Sequence, residues 1–194
     1  MGYIKNFAVA SEQVIGGEMI KCIMFGSIAK DKGYERAIAV IEKNPKIHLL
    51  IVGPLWNSAE KKTLSFLKKK EKELSNLKVE LKVLDEKGFE DYSKKSDIIL
   101  ILHHIVTASA VFSQVVHSMK PVITWNLPFF REYEKKYGAC ITVNSVDELE
   151  EKILEVYKSK KLREKLKKGA KRLLKDCSWE SVAKEHWKLY GSLR

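Results

Sequence analysis

Residues 20–53 have the sequence IKCIMFGSIAKDKGYERAIAVIEKNPKIHLLIVG, and this stretch decides the fold. It opens on an apolar run, passes through a loop with a glycine at each end, and then places apolar residues at helical spacing. Asn44-Pro45 ends that helix, and a second apolar run follows at 47–52. A strand, a helix and a second strand in this order predict a βαβ unit with two parallel strands and a right-handed crossover.

The same alternation continues along the rest of the chain. We predict six strands, at 20–25, 47–52, 79–84, 97–102, 121–124 and 140–143. We predict helices at about 34–43, 58–74, 89–95, 110–119, 129–137, 146–158, 162–174 and 179–190. The nearly all-apolar fourth strand is typical of a strand that is buried on both faces. The fold class is therefore α/β: a Rossmann-like, doubly wound parallel sheet in three α/β/α layers, with C-terminal helices.

Length and composition limit the domain organisation. The chain has 194 residues, which suits one domain, and it contains no internal repeat and no low-complexity linker. We expect 20–194 to form that domain and 1–19 to be an N-terminal segment, either an extra strand or the remnant of a linker. The start lacks the apolar core of a signal peptide, and no run is long enough to span a membrane, so we expect a cytoplasmic protein.

The chain is basic, with a net charge of +11, and only five of its 36 Lys and Arg residues are arginine. A lysine- and glutamate-rich solvated surface explains this balance, although a nucleic acid or an anionic membrane surface stays possible. Nucleic acid is the less favoured partner, because the arginine forks and aromatic platforms of its readers are not evident. Cys22, Cys140 and Cys177 lack metal-ligand spacing, and we expect buried free thiols.

Ligands of doubly wound sheets bind beyond the carboxyl ends of the strands, where the strand order reverses. With the order 3-2-1-4-5-6, the loops 26–33 and 103–109 would face each other across that crevice. Gly26 would let a ligand approach the backbone, and Lys30 and Lys32 would offer positive charge.

The second loop has features of an anion site as well. Thr107 and Ser109 come just before the helix that begins near Ala110, whose exposed N–H groups suit a phosphate. The alternative is that the serine or threonine is only a helix cap.

Other motifs are weaker or absent. No GxGxxG and no GxxxxGK[ST] occurs, which argues against a dinucleotide site of the usual kind and against a P-loop. His103-His104 could ligate a metal only with partners from elsewhere, and His117, in mid-helix, is more typical of a structural residue. We expect no metal and assign no catalytic residue.

Four stretches, together with the end of the chain, resemble a known family. They are 23–33, 49–53, 96–123, 141–149 and 178–190. The first is similar to the family's strand followed by "GRL…EKG", and the third to its "aDv…lEAmacGkPVi". The family is that of the retaining GT-B glycosyltransferases of the family 4 type. The resemblance is to their C-terminal domain, and it runs from about Ile20 to Tyr190.

The resemblance implies a site for a nucleotide diphosphate sugar, which is a substrate and not a cofactor. In the family an Arg and a Lys of the first loop bind the diphosphate; Lys32 matches the Lys, and Ser27 stands where the Arg is expected. In the family, a pair of glutamates separated by seven residues contacts the sugar and the ribose; here those positions hold Val106 and Gln114. Backbone N–H groups at 108–110 would hold the phosphate instead. The implied site comprises Gly26, Ser27, Lys32, Gly53, Thr107, Ala108, Ser109, Ala110 and Gln114.

The leading hypothesis is therefore a glycosyltransferase domain that transfers a hexose from this donor to an acceptor hydroxyl. Its part would be electrostatic, with Lys32 and helix N–H groups stabilising charge on the leaving diphosphate. The acceptor-binding N-terminal domain of the GT-B fold is absent from this sequence, so a separate domain or subunit is an expected partner, and peripheral membrane contact is a further possibility. The alternatives are a non-catalytic interaction module that kept the fold but lost the donor site, and a basic nucleic-acid-binding protein.

Overall fold

A computed structural model describes residues 19–192, and a six-stranded parallel sheet lies at its centre. The strands are β1 (Ile20–Phe25), β2 (Ile47–Val52), β3 (Leu77–Glu80), β4 (Ile98–Ile101), β5 (Val122–Trp125) and β6 (Ile141–Val143). Their order is β3-β2-β1-β4-β5-β6, which confirms the predicted order and the doubly wound fold. The predicted segment 1–19 lies almost wholly outside the described residues, and its boundary stays a prediction.

Eight α-helices connect and cover the strands of the described chain. They are α1 (Tyr34–Lys43), α2 (Lys61–Glu73), α3 (Glu86–Lys94), α4 (Ala110–Val116), α5 (Pro128–Tyr137), α6 (Val146–Lys158), α7 (Lys160–Asp176) and α8 (Trp179–Ser192). Short 3-10 turns at Lys30–Lys32 and Ser58–Glu60 precede α1 and α2. None of these described helices is long and apolar enough to cross a membrane.

The apolar core lies in two layers, one on each face of the sheet. On one face, α1, α2 and α6 bury side chains such as Ile38, Leu67 and Ile153 against alternate strand residues. On the other face, α4 and α5 bury Phe112 and Phe130 with the remaining strand residues. Because helices cover both faces, the predicted three-layer arrangement is confirmed.

The third strand differs from its prediction of 79–84. β3 begins at Leu77 and ends at Glu80, which pairs with Val52 at the end of β2. Because β3 lies at the edge of the sheet, it can pair only with β2, and β2 ends at Val52. The residues after Glu80 continue the apolar–polar alternation but form a surface loop. Leu81 is accordingly 50% exposed and Val83 62% exposed.

Two further predictions need correction. The helix predicted at 110–119 ends at Val116, since Met119 adopts a left-handed conformation, with φ at 57°, where the chain turns back toward β5. Cys22 and Cys140 are buried as expected, and burial raises the pKa of Cys140 to about 12. Cys177 is exposed, because it lies at the surface turn that ends α7.

Candidate functional site

The loop after β1 lies against the end of β2. The N–H of Gly26, whose φ is +117°, donates to the Val52 carbonyl at 3.2 Å, and the N–H of Ile28 donates to the Pro54 carbonyl at 2.9 Å. Gly53 packs so closely here that a Cβ on it would lie 1.7 Å from the Gly26 carbonyl oxygen. The absence of a side chain at Gly53 is therefore first a packing requirement of this strand end.

The loops 26–33 and 103–109 meet across the crevice, as the sequence predicts. The N–H of His104 donates to the Asp31 carbonyl at 2.8 Å. Gly33 lies directly on the end of β4, where a Cβ would come within 1.9 Å of the Leu102 carbonyl oxygen. The backbones of the two loops are thus joined at the point where the strand order reverses.

Two lysines of the first loop have different positions. Lys30 is exposed, and its backbone N–H donates to the Glu60 carboxylate at 3.0 Å. The Lys32 side chain is only 18% exposed, and its Nζ lies 3.7 Å from an oxygen of Asp31. Lys32 also lies close enough to His103 to influence its protonation. Of the two, Lys32 is the cation that the fold places inside the crevice.

His103 is a buried neutral imidazole beside this cation. Burial, followed by the charge of Lys32, lowers its pKa to about 4 from the ordinary 6.5, although Asp31 acts in the opposite direction. The ring lies 6.5 Å from that of Phe130. Because the ring is neutral, it adds no positive charge to that of Lys32 at neutral pH.

Sequence reasoning did not identify a cluster around Arg36, in the first turn of α1. Its Nη1 donates to the Leu102 carbonyl at 2.8 Å and to the His103 carbonyl at 3.0 Å. Its guanidinium lies 3.8 Å from the centroid of the Trp125 ring, which is a cation–π contact. Arg36 therefore holds the end of β4, from which the second loop starts. A possible signal was that arginine is rare in this lysine-rich chain.

His104 belongs to the same cluster. Its Nδ1 accepts from Nη2 of Arg36 at 2.9 Å, and its Nε2 lies 2.8 Å from the Glu35 carboxylate. Because an arginine can only donate, the proton of the neutral ring is on Nε2, which donates to Glu35. Both nitrogens of His104 are thus engaged, and among residues 19–192 no group of three His, Cys, Asp or Glu side chains is placed to hold a metal.

The second loop leads into α4. The Ser109 hydroxyl is buried and accepts from the Phe112 N–H at 3.1 Å, so it is a helix cap, which the sequence left open as the alternative. Thr107, Ala108 and Ala110 are exposed beside it. The Phe112 N–H is engaged by this cap, whereas the N–H groups of Ala110 and Val111, the first two of α4, have no acceptor within the helix.

The remaining predicted residues lie in different surroundings. The carbonyl of Ser27 accepts from the Tyr34 hydroxyl at 3.3 Å, and Val106 packs against the apolar cluster of α4 and α5. Gln114 lines a groove of about 480 Å³ between α3 and α4, together with residues such as Glu86 and His117. Neither Ser27 nor Lys32 lines that groove, so Gln114 does not share a groove with them.

His103 makes the stability of the protein depend on pH. Its pKa is lowered on folding, so the unfolded chain binds the proton first as the pH falls, and stability decreases between pH 6.5 and about 4. We expect the protein to lose about 1–2 kcal/mol more than a His103→Gln variant between pH 7 and pH 5. Urea unfolding at both pH values measures this difference.

The matched control is His117→Gln, which removes an exposed histidine immediately after α4. Its loss between the two pH values should equal that of the unmodified protein. An equal loss for His103→Gln as well would contradict the buried neutral ring.

The sequence and the fold were compared with those of known proteins. The sequence model of the family "Glycosyl transferases group 1" matches residues 10–173. Among curated proteins, none matches the chain significantly.

Solved structures share the fold at low sequence identity. Anabaena HepE in complex with UDP superposes with a TM-score of 0.77 at 12% identity, over 90% of this chain and 49% of that chain. Sucrose-phosphate synthase from Thermosynechococcus elongatus gives 0.72 at 16% identity, over 90% and 45%. The C-terminal domain of the group 1 glycosyl transferase LpcC from Francisella tularensis gives 0.61 at 18% identity, over 81% and 85%. The chain thus spans about half the length of the first two proteins.

Proposed function

Since the chain belongs to the glycosyl transferases group 1 family, we propose that it binds a nucleotide diphosphate sugar in the crevice between the loops 26–33 and 103–109. The observation that carries the proposal is the joining of these loops at the end of β4, with the half-hidden Lys32 beside them. In this fold class, the crevice where the strand order reverses is where ligands bind.

The residues of the crevice suit a diphosphate. The Lys32 ammonium would provide a compact positive charge, and the first N–H groups of α4 would donate to phosphate oxygens. When the bond between sugar and phosphate breaks, negative charge builds up on the leaving diphosphate. Hydrogen-bond donors and cations that are already in place stabilise that charge without reorganising. In this way the domain would accelerate transfer of the hexose to an acceptor hydroxyl. The donor is a substrate in this proposal, and no bound cofactor is required.

The crevice holds fewer charged contacts than the resemblance implies. Ser27 and Val106 stand at positions where the family has charged residues, and each missing charged hydrogen bond costs about 1.5–3 kcal/mol. Arg36 does not compensate, because its guanidinium is engaged by the Leu102 and His103 carbonyls. We therefore expect donor binding that is weaker than a complete set of contacts would give.

The comparisons suggest which nucleotide the donor carries and where the acceptor binds, and we propose both here. HepE has been solved with UDP and with UDP-glucose, so uridine nucleotides are the first class that we propose for this crevice. Because the chain spans about half the length of HepE, we propose that a further domain or a partner subunit holds the acceptor.

A second candidate function is a non-catalytic module that kept this fold without the donor site. Ser27 and Val106 favour it, since neither side chain can replace a charged contact to a diphosphate or to a sugar.

A thermal-shift panel of UDP, GDP, ADP and their hexose conjugates separates the two candidates. Ligand at one hundred times its dissociation constant stabilises the folded state by about 2.7 kcal/mol, which is several degrees for a domain of this size. We expect a shift with one nucleotide class, largest for uridine, and a much smaller shift for Lys32→Ala.

The control is Lys61→Ala, which removes an exposed lysine of α2 with the same change in net charge. Equal shifts in the two variants would reject Lys32 as a donor contact. A flat panel at millimolar nucleotide would favour the non-catalytic module.

A further inference from the structure

The first and last strands of the sheet have an open side. Among residues 19–192, β3 and β6 stand at the two ends of the strand order, so each pairs with one neighbouring strand. The backbone N–H and C=O groups on the open side of such a strand can pair with a strand of another molecule. Self-association and aggregation start in this way unless the edge is blocked.

The open side of β3 is formed by Leu77 and Val79. Glu80 is turned toward β2, because its carbonyl accepts from the Gly53 N–H at 3.1 Å. Successive residues of a strand turn their backbone groups to opposite sides, so those of Leu77 and Val79 point away from the sheet. The Leu77 N–H is taken by the Leu74 carbonyl at 3.2 Å. Val79 is therefore the residue at which a further strand could be added.

Side chains of α2 occupy both backbone groups of Val79. The Val79 N–H donates to the Glu71 carboxylate at 2.9 Å, and the Val79 carbonyl accepts from the Lys68 ammonium at 2.8 Å. Glu71 and Lys68 are also paired with each other at 2.7 Å. Although partial burial acts to raise it, the hydrogen bonds from Lys68 and the Val79 N–H hold the pKa of Glu71 below its ordinary value. The carboxylate at this edge is thus charged at neutral pH.

β6 has the same arrangement at the other edge of the sheet. The Val143 carbonyl faces β5, where it accepts from the Asn126 N–H at 2.9 Å, so the backbone groups of Thr142 point outward. The Thr142 N–H donates to the carboxylate of Glu134, on α5, at 3.1 Å. The Thr142 hydroxyl donates to the other oxygen of that carboxylate. At each edge, a glutamate from a covering helix therefore binds an outward N–H of the edge strand.

We propose that Glu71 with Lys68, and Glu134 on the other side, close the two edges of the sheet against a strand from a second copy of this chain. An incoming strand needs the same N–H groups for its own carbonyls, so it has to displace these side chains first. If both edges were open, β3 of one copy could pair with β6 of the next, and a head-to-tail contact of this kind grows into open-ended assemblies. This proposal goes beyond donor binding and does not depend on it, because none of these residues lies in the loops 26–33 and 103–109.

Light scattering on the full chain, after size-exclusion chromatography over a range of protein concentrations, tests the proposal. Glu71→Ala and Glu134→Ala each open one edge, so each should raise the mass at most to about twice that of the unmodified protein, by pairing of two identical edges. The double variant opens both edges and should form larger assemblies that grow with protein concentration.

Three control variants separate the edge contacts from a change in charge. Glu73→Ala and Glu132→Ala remove the same charge from exposed positions of α2 and α5, and both should keep the mass of the unmodified protein. Glu71→Gln also removes the charge, but its amide oxygen can still accept from the Val79 N–H, so it should behave like the unmodified protein. Equal assembly of the controls and the edge variants, or no assembly of the double variant, would overturn the proposal.

Native-state amide hydrogen exchange is a second measurement, and it does not require self-association. The amides of Val79 and Thr142 should exchange slowly although both lie on edge strands. They should exchange about 10–100-fold faster in Glu71→Ala and Glu134→Ala respectively, since each loses a hydrogen bond to a charged group. If the alanine variants do not fold, the unmodified protein decides: exchange of these two amides at the rate of an unstructured chain would overturn the proposal.

Discussion

Gly33→Ala is expected to lower the free energy of unfolding by about 3–5 kcal/mol, and two effects contribute. Gly33 has φ at +69°, a left-handed conformation that costs a residue with a Cβ about 1–2 kcal/mol. The new Cβ would also lie 1.9 Å from the Leu102 carbonyl oxygen, so the backbone of one loop has to move away from the other. That carbonyl is fixed by Arg36, which makes the displacement expensive.

Gly138→Ala is the matched control for this prediction. Gly138 has nearly the same φ, +63°, but its Cβ would meet only an arginine nitrogen at 4.0 Å. The control should lose only the conformational part, about 1–2 kcal/mol, in urea unfolding. If the two variants are equally destabilised, the close contact between the loops is not the reason that position 33 requires glycine.

Arg36→Ala is expected to cost about 2–4 kcal/mol, because it leaves the Leu102 and His103 carbonyls without their donor. It also removes the guanidinium from the Trp125 ring and from His104. Arg36→Lys should recover only part of the loss, since an ammonium cannot reproduce the planar fork over an aromatic face. Nucleotide affinity should fall too, as the second loop loses its anchor.

Chemical denaturation and nucleotide titration of the same variants check this prediction. The control is Arg131→Ala, which removes an exposed arginine from α5 and should change both quantities little. An Arg36→Ala protein as stable as the Arg131→Ala protein would mean that the end of β4 is held by other contacts.

The fold was predictable because its strands carry the signal locally. The apolar runs of β1, β2 and β4 are buried on both faces, so each is recognisable without knowledge of its neighbours. The end of β3 was not predictable from the sequence, because Leu81 and Val83 continue its alternation of apolar and polar residues. The pairing stops at Glu80 because the neighbouring strand β2 ends there. Met119 likewise ends α4 through a turn that its residue type does not indicate.

The crevice was predictable in part, for a related reason. Gly26, Lys32 and Ser109 stand next to strand or helix ends, where sequence position alone indicates which edge of the sheet they reach. Arg36 was missed because its contacts join α1 to the ends of β4 and β5, and no spacing along the chain encodes that meeting. Gln114 was assigned to the crevice from its position in a motif, but it lines the groove between α3 and α4. The motif position did not reveal this location.

The most direct test of donor binding is to locate the nucleotide on the protein. At 22.3 kDa the chain suits amide NMR, with the nucleotide that gives the largest thermal shift as the titrant. We predict that the largest perturbations fall on the amides of Ser27, Lys32 and 107–110, and that Lys32→Ala weakens the titration. Perturbations confined to the groove between α3 and α4, or none at millimolar nucleotide, would contradict a donor site in the crevice.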